Sequence, residues 1–154
     1  MSSPLWLRAE EIPEVEVLSN DECWSALTAA PMGRLAVRAD DGVDIFPVNF
    51  IVKDRVIYLS SAPGSKLVDI AHAPSVALEI DGSRRRVRWS VVVRGTAERM
   101  SDATDIEESG VLALHTMTSS AKWNYVRITP YSITGRRFES GSARGRERTT
   151  SDPR

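Results

Sequence analysis

The chain has 154 residues, 42% of them hydrophobic and 27% charged, which suits one globular domain with its own core and excludes wholesale disorder. Twenty basic side chains against twenty-one acidic ones leave a net charge of −1, a balance that excludes a general nucleic-acid binder. The longest apolar runs are four residues, as in Val56–Leu59, against the about 20 that a membrane-spanning helix needs, and a single cysteine, Cys23, excludes an internal disulfide or a multi-cysteine metal site.

Residues 1–16 read as an N-terminal arm without strong periodicity. They hold no apolar stretch of the signal-peptide kind, so the expected location is the cytoplasm. The folded domain is expected over residues 17–138. Ser19-Asn20-Asp21-Glu22 matches a capping box, with Ser19 as N-cap and Glu22 three positions later, and predicts a helix ending at about Ala30, before Pro31. Cys23, Trp24 and Leu27 share its buried face. The period then changes from 3.6 to 2. Gly33–Arg38 alternates, with Leu35 and Val37 on one side and Arg34 and Arg38 on the other. Asp40-Asp41-Gly42 is a turn cluster, Val43–Lys53 a long strand, Lys53-Asp54 a tight hairpin turn and Arg55–Ser61 the returning strand. Ser65 caps a predicted helix that runs to about Ala73, before Pro74. Ser75–Asp81 is a strand with Val76, Leu78 and Ile80 facing one way, and Asp81-Gly82 starts a turn carrying the basic cluster Arg84-Arg85-Arg86. Val87–Arg99 alternates again, with Val87, Trp89, Val91 and Val93 on one face. Ser101–Ser109 is an acidic capped helix that Gly110 breaks, and a second helical piece is expected over Val111–Thr118. Trp123–Phe138 is a last long strand, bent at Pro130, and the Ser/Gly/Arg/Thr-rich residues 139–154 are expected to be a disordered tail. Six strands, mostly hairpin-connected and without a repeating βαβ rhythm, give a mainly β protein: an antiparallel barrel with short helices at its ends or edges.

The sequence has no GxSxG elbow, no HExxH pair and no Gly-rich phosphate loop ending in Gly-Lys-Ser/Thr. His72 and His115 stand alone and read as helix-surface residues; Cys23, with no histidine beside it, reads as core filler. Two segments carry chemistry. In Pro47-Val48-Asn49-Phe50 a proline interrupts a strand, which requires an edge or a bulge there, and Asn49 places an amide at the same spot. In Ser60-Ser61-Ala62-Pro63-Gly64-Ser65-Lys66 three hydroxyls, a glycine and one of three lysines meet where a strand gives way to a helix. Free backbone N–H groups and the positive end of a helix favour an anion there, and Lys66 adds a full charge; Ser65 as a plain N-cap explains part of the pattern.

The order of these segments, from Gly33–Val37 through Pro47–Phe50, Val56–Leu67 and Val76–Asp81 to Trp89–Ala97, resembles the pyridoxamine 5′-phosphate oxidase-like flavoproteins, the FMN-binding split β-barrel group. The resemblance spans about residues 17–138. It implies a six-stranded antiparallel split β-barrel that works as a homodimer, with the cofactor at the subunit interface. It implies that Pro47, Val48, Asn49 and Phe50 run along an isoalloxazine ring, that Ser60, Ser61, Ser65 and Lys66 hold the ribityl chain and phosphate, and that Trp89 and Ser90 lie near the flavin. The function implied is an FMN-dependent oxidoreductase acting on a small-molecule substrate, with no nucleic-acid or membrane partner. Two other functions fit the same resemblance: a reductase using the deazaflavin coenzyme F-420, and a flavin-sequestering protein without turnover. The end of the chain departs from the true oxidases, since Trp123, Arg127 and Pro130 match their substrate-binding segment only loosely; pyridoxamine 5′-phosphate is therefore expected to be a poor substrate. The apolar faces of Val87–Val93 and Trp123–Tyr131 offer more hydrophobic surface than one small barrel is expected to fill.

Overall fold

The structure, a computed structural model, describes residues 15–61, 74–114 and 123–139. Strands β1 (Val15–Val17), β2 (Met32–Ala39), β3 (Gly42–Lys53), β4 (Val56–Ser61), β5 (Ser75–Arg84), β6 (Val87–Met100) and β7 (Asn124–Glu139) form one antiparallel sheet ordered β1-β7-β4-β3-β2-β5-β6. A further pairing of β6 with β7 closes β2–β7 into a six-membered ring, the split barrel. β1 lies outside the ring, beside β7, with Glu16 opposite Arg137. The C-terminal end of the arm is thus extended and paired into the sheet. Val15–Val17 is too short to show an alternation, and it is held by its ladder and by a 2.7 Å ion pair from Arg137 to Glu16.

The barrel interior is the set of residues that alternation places on one face. Leu35, Ile57, Leu59, Leu78, Ile80, Val91, Val93 and Ile128 are all at most 2% exposed. Of the apolar faces of Val87–Val93 and Trp123–Tyr131, Val91, Val93, Val126 and Ile128 are buried inside the single chain, whereas Val87 and Trp89 are only half-buried. Tyr131 at the end of that β7 segment is 63% exposed, and Val43 and Ile45 on β3 are exposed at 65% and 66%.

Helix α1 (Asn20–Ala29) closes one end of the barrel. Its Ser19 hydroxyl accepts from the Glu22 N–H at 3.2 Å, while the Glu22 carboxylate accepts from the Ser19 N–H at 3.1 Å, so both arms of the capping box are made. Cys23 and Leu27 point into the core. Gly135 lets the helix seat: a Cβ there would lie 2.7 Å from the Cys23 sulfur and 2.9 Å from Leu18. Arg55 holds α1 from the β3–β4 turn, pairing with Asp21 at 2.6 Å and lying 5.8 Å from the Trp24 ring centre. Near β3, α2 (Ala103–Ser109) starts on Asp102, whose carboxylate accepts from the N–H groups of Thr104 and Asp105, and ends at Gly110 in the left-handed region at φ 80°. Lys53 donates to the Glu108 carbonyl and ties this helix to β3. A 3-10 turn, Val111–Leu114, follows, one turn where a longer helical piece was expected; the rest of that piece lies outside the described residues.

Three local expectations shift. The β3–β4 turn is Asp54-Arg55, not Lys53-Asp54: both residues have positive φ, 51° and 59°, as the mirror-image two-residue turn requires, and Lys53 pairs with Val56. β5 runs through Asp81-Gly82 to Arg84, and the turn falls on Arg85-Arg86. Pro47 carries no bulge, because β2 and β3 pair without a break from Met32–Asn49 to Ala39–Gly42. The edge alternative holds instead. Over residues 42–49 β3 has β2 on one side and no ladder on the other among the described residues, so the missing proline N–H costs nothing. The bulge is in β7, where Gly95 pairs with Pro130 and Arg94 with Ser132, leaving Tyr131 over as the extra residue. The predicted helix over 65–73 lies outside the described residues.

Candidate functional site

β3 is where the site begins, because it changes partner midway. Its first part pairs with β2, and only Phe50–Lys53 pairs with β4, from Phe50–Leu59 to Lys53–Val56. Asn49 and Ser60 are the first residues beyond the end of that ladder, where the two strands part. Alternation sends the side chains of Val48 and Phe50 into the core, at 6% and 5% exposure, and those of Pro47 and Asn49 outward. Anything Val48 and Phe50 offer a ligand is therefore main chain. Ser60 is half-buried and Ser61 is buried in the β4–β7 ladder opposite Asn124. Ser65 and Lys66, the remainder of the expected anion-binding segment, lie outside the described residues.

Pro47 lines a groove of about 1100 Å³ between one face of α1, the start of β2 and the β5–β6 hairpin. Trp89 lines it too. Trp89 pairs with Gly82 across the hairpin, and its ring lies so close over that glycine that a Cβ there would fall 2.3 Å from the indole. The ring is half-buried and is seated by its partner strand. The structure thus brings together Pro47 and Trp89, which are 42 positions apart in sequence. Val48, Asn49, Phe50, Ser60 and Ser61 do not line that groove, and neither does Ser90, because alternation points Ser90 to the other face of β6, opposite Asp81 and Arg136.

A second feature of the groove was not singled out from the sequence. Arg34 lies between Pro47 on β3 and Glu79 on β5, and it donates to Glu79 at 3.0 Å and to Asp81 at 3.2 Å. Those carboxylates raise its affinity for its proton above the ordinary arginine value. At the α1 side Arg137 reaches both Glu16 and, at 3.7 Å, Glu22. Glu22 is held below the usual glutamate range, first by the Ser19 N–H, then by the Ser19 hydroxyl and the Arg137 charge. The signal for Arg34 was present in the alternation that sets it outward, but its partners are 45 and 47 residues away and depend on the β2–β5 register. Among the described residues no helix is long and apolar enough to cross a membrane.

Residues 19–137 match the sequence profile of the family described as pyridoxamine 5′-phosphate oxidase. The chain belongs to the pyridoxamine 5′-phosphate oxidase-like family. Solved structures agree. The FAD-binding protein of Mycobacterium smegmatis is 38% identical, with a TM-score of 0.71 over 82% of this chain and 100% of that one. An FAD-binding protein of Mesorhizobium loti is 30% identical, with a TM-score of 0.72 over 82% of this chain and 98% of that one. A Mycobacterium tuberculosis protein is 33% identical over 136 residues, 84% of this chain and 89% of the relative.

Proposed function

We propose that this member of the pyridoxamine 5′-phosphate oxidase-like family is a flavin-dependent oxidoreductase that takes FMN as cofactor and acts on a small molecule. The observation that carries the reading is the meeting of Pro47 and Trp89 at one groove: two strands far apart in sequence deliver a rigid strand edge and a seated aromatic ring to the same space. A planar, polar-edged group fits these residues. The groove volume of about 1100 Å³ is near the upper end of small-ligand sites, which run to about 1,000 Å³. Gly82, lacking a Cβ, lets the Trp89 indole lie flat over its strand, and the outer edge of β3 next to Pro47 and Asn49 has no competing ladder among the described residues. When bound, a flavin supplies the electron-transfer chemistry, and the protein's part is position and electrostatics. Asn49 would offer its amide to the polar edge of the ring, Ser60 would face the ribityl chain while Ser61, turned to the core, would offer main chain only, and Lys66 with Ser65 would meet the phosphate. The names of the two FAD-binding relatives favour FAD as a second cofactor reading. We place the cofactor at the interface of a homodimer, on the exposed side chains of Val43 and Ile45 beside Pro47.

Titration of the protein with FMN and FAD, followed by quenching of flavin fluorescence, tests the reading. Lys66→Ala is expected to bind FMN about 10- to 150-fold more weakly, the worth of a charge-assisted contact of roughly 1.5–3 kcal/mol. A Lys66→Ala protein that binds FMN like the parent, alongside an Arg34→Ala protein that does not, moves the phosphate to Arg34 and overturns the assignment.

A further inference from the structure

Arg34 stands between the strand of Pro47 and the hairpin of Trp89. Its strand, β2, lies between β3 and β5 in the sheet, with Pro47 directly opposite on one side and Glu79 on the other. Pro47 has no N–H to give, yet the β2–β3 ladder runs unbroken past it, so Pro47 and Arg34 form a pair that exchanges no hydrogen bonds. Pairs of that kind hold their Cα atoms about 4.5 Å apart, closer than the hydrogen-bonded kind, and both side chains leave the same face. A group lying along the edge of β3 at Pro47 therefore lies beside Arg34. Arg34 and Asp81 line the groove together with that proline.

The guanidinium is held twice, donating to Glu79 at 3.0 Å and to Asp81 at 3.2 Å. Both contacts use Nη1, which leaves Nε and Nη2 outside that pairing. One carboxylate is enough to fix the side chain; the second gives the trio a surplus of one negative charge. The side chains of Arg34 and Asp81 are 58% exposed and that of Glu79 is 32% exposed, so changing their charges empties no core position.

We infer that Arg34 sets the redox balance of the bound flavin, and that Glu79 and Asp81 are positioning residues that fix its guanidinium beside Pro47 and hold its effect in check. The inference deepens the flavin reading and rests on it. Two electrons and one proton leave the isoalloxazine ring with one more negative charge than before. A cation beside the ring therefore favours the reduced form, and carboxylates beside it favour the oxidised form. The ribityl chain and phosphate are the same in both forms, so Ser60, Ser65 and Lys66 act on both alike. A charge at the strand edge along the ring tells the two forms apart.

Protein loaded with FMN or FAD is titrated with dithionite beside a reference dye of known potential, and oxidised flavin binding is followed separately by fluorescence quenching. Arg34→Gln leaves two carboxylates without their cation. It is expected to shift the balance toward the oxidised form by about three- to tenfold, a fall of about 15–30 mV for a two-electron couple. Glu79→Gln/Asp81→Asn frees the guanidinium charge and is expected to shift the balance by a similar factor the other way. Arg34→Lys, which keeps the charge, is expected to stay near the parent. Oxidised flavin affinity is expected to change less than reduced flavin affinity in every variant. The double carboxamide variant carries the test by itself if Arg34→Gln fails to fold. Flavin bound with an unaltered potential, or shifted in the same direction by Arg34→Gln and by Glu79→Gln/Asp81→Asn, overturns the inference and leaves the flavin reading standing. A protein that takes up no flavin overturns both.

Discussion

Gly82 and Cys23 show how single positions set the site and the core. Gly82 has no Cβ because Trp89 occupies the space, and the expected consequence of Gly82→Ala is a displaced indole. Overpacking of this kind costs roughly 1–3 kcal/mol, and flavin affinity should fall with it. A thermal melt paired with an FMN titration checks both; an alanine variant with the parent's melt and affinity contradicts the seating of the ring. Cys23 is 1% exposed, and burial, followed by the nearby Glu22 charge, pushes its thiol up from the ordinary cysteine range. It should therefore resist a thiol reagent at mildly alkaline pH in the native protein and react fully once unfolded. Its core role was legible from the sequence, since no histidine or second thiol accompanies it. The role of Gly82 was not: a glycine beside an aspartate reads locally as a turn, and only the pairing with β6 shows that the residue is there to make room for Trp89.

Helix α1 depends on a cap that the sequence spells out, and its loss should be measurable. Ser19→Ala is expected to cost about 1 kcal/mol of stability by denaturant unfolding. The Glu22 arm adds a pH dependence. Its carboxyl is lowered in the folded protein, so its contribution is present above the unfolded glutamate value and is lost as the pH falls through the folded one. The gap in unfolding midpoint between the parent and Glu22→Gln should accordingly be open at neutral pH and narrow in acid; a gap independent of pH would show that the capping box does not carry it. Leu27, fully buried at the barrel end, should cost about 2–5 kcal/mol as alanine. Elements of this sort are legible because their signals are local: a cap, an alternation, a two-residue turn. The misplaced features depend on distant partners. β1 has three residues and borrows its stability from Arg137, more than a hundred positions away. The bulge sits in β7 at Tyr131 because β6 and β7 run alongside each other for most of their length and must accommodate Pro130, whereas Pro47 needs no bulge on an open edge. The turn of β3–β4 shifted by one residue because Asp54 and Arg55 accept positive φ.

At the scale of the molecule, the barrel followed from alternation and hairpin spacing, and the family from the order of its segments. What sequence reading could not supply was the geometry between strands: the trough between α1 and the hairpin, and the Arg34 network across β2 and β5. The assembly is proposed on the same scale. Light scattering is expected to give about twice the 17.0 kDa chain mass, and Val43→Asp/Ile45→Asp should give the monomer and lose flavin. A parent protein that remains monomeric at micromolar concentration would remove the interface from the account. The most direct test of the central claim is the mass and visible spectrum of the small molecule released from the purified protein, or taken up on reconstitution. The account predicts a flavin, FMN or FAD, bound at one per chain with the oxidised-flavin band. A protein that releases a deazaflavin, or that takes up neither FMN nor FAD at saturating concentration, would contradict it.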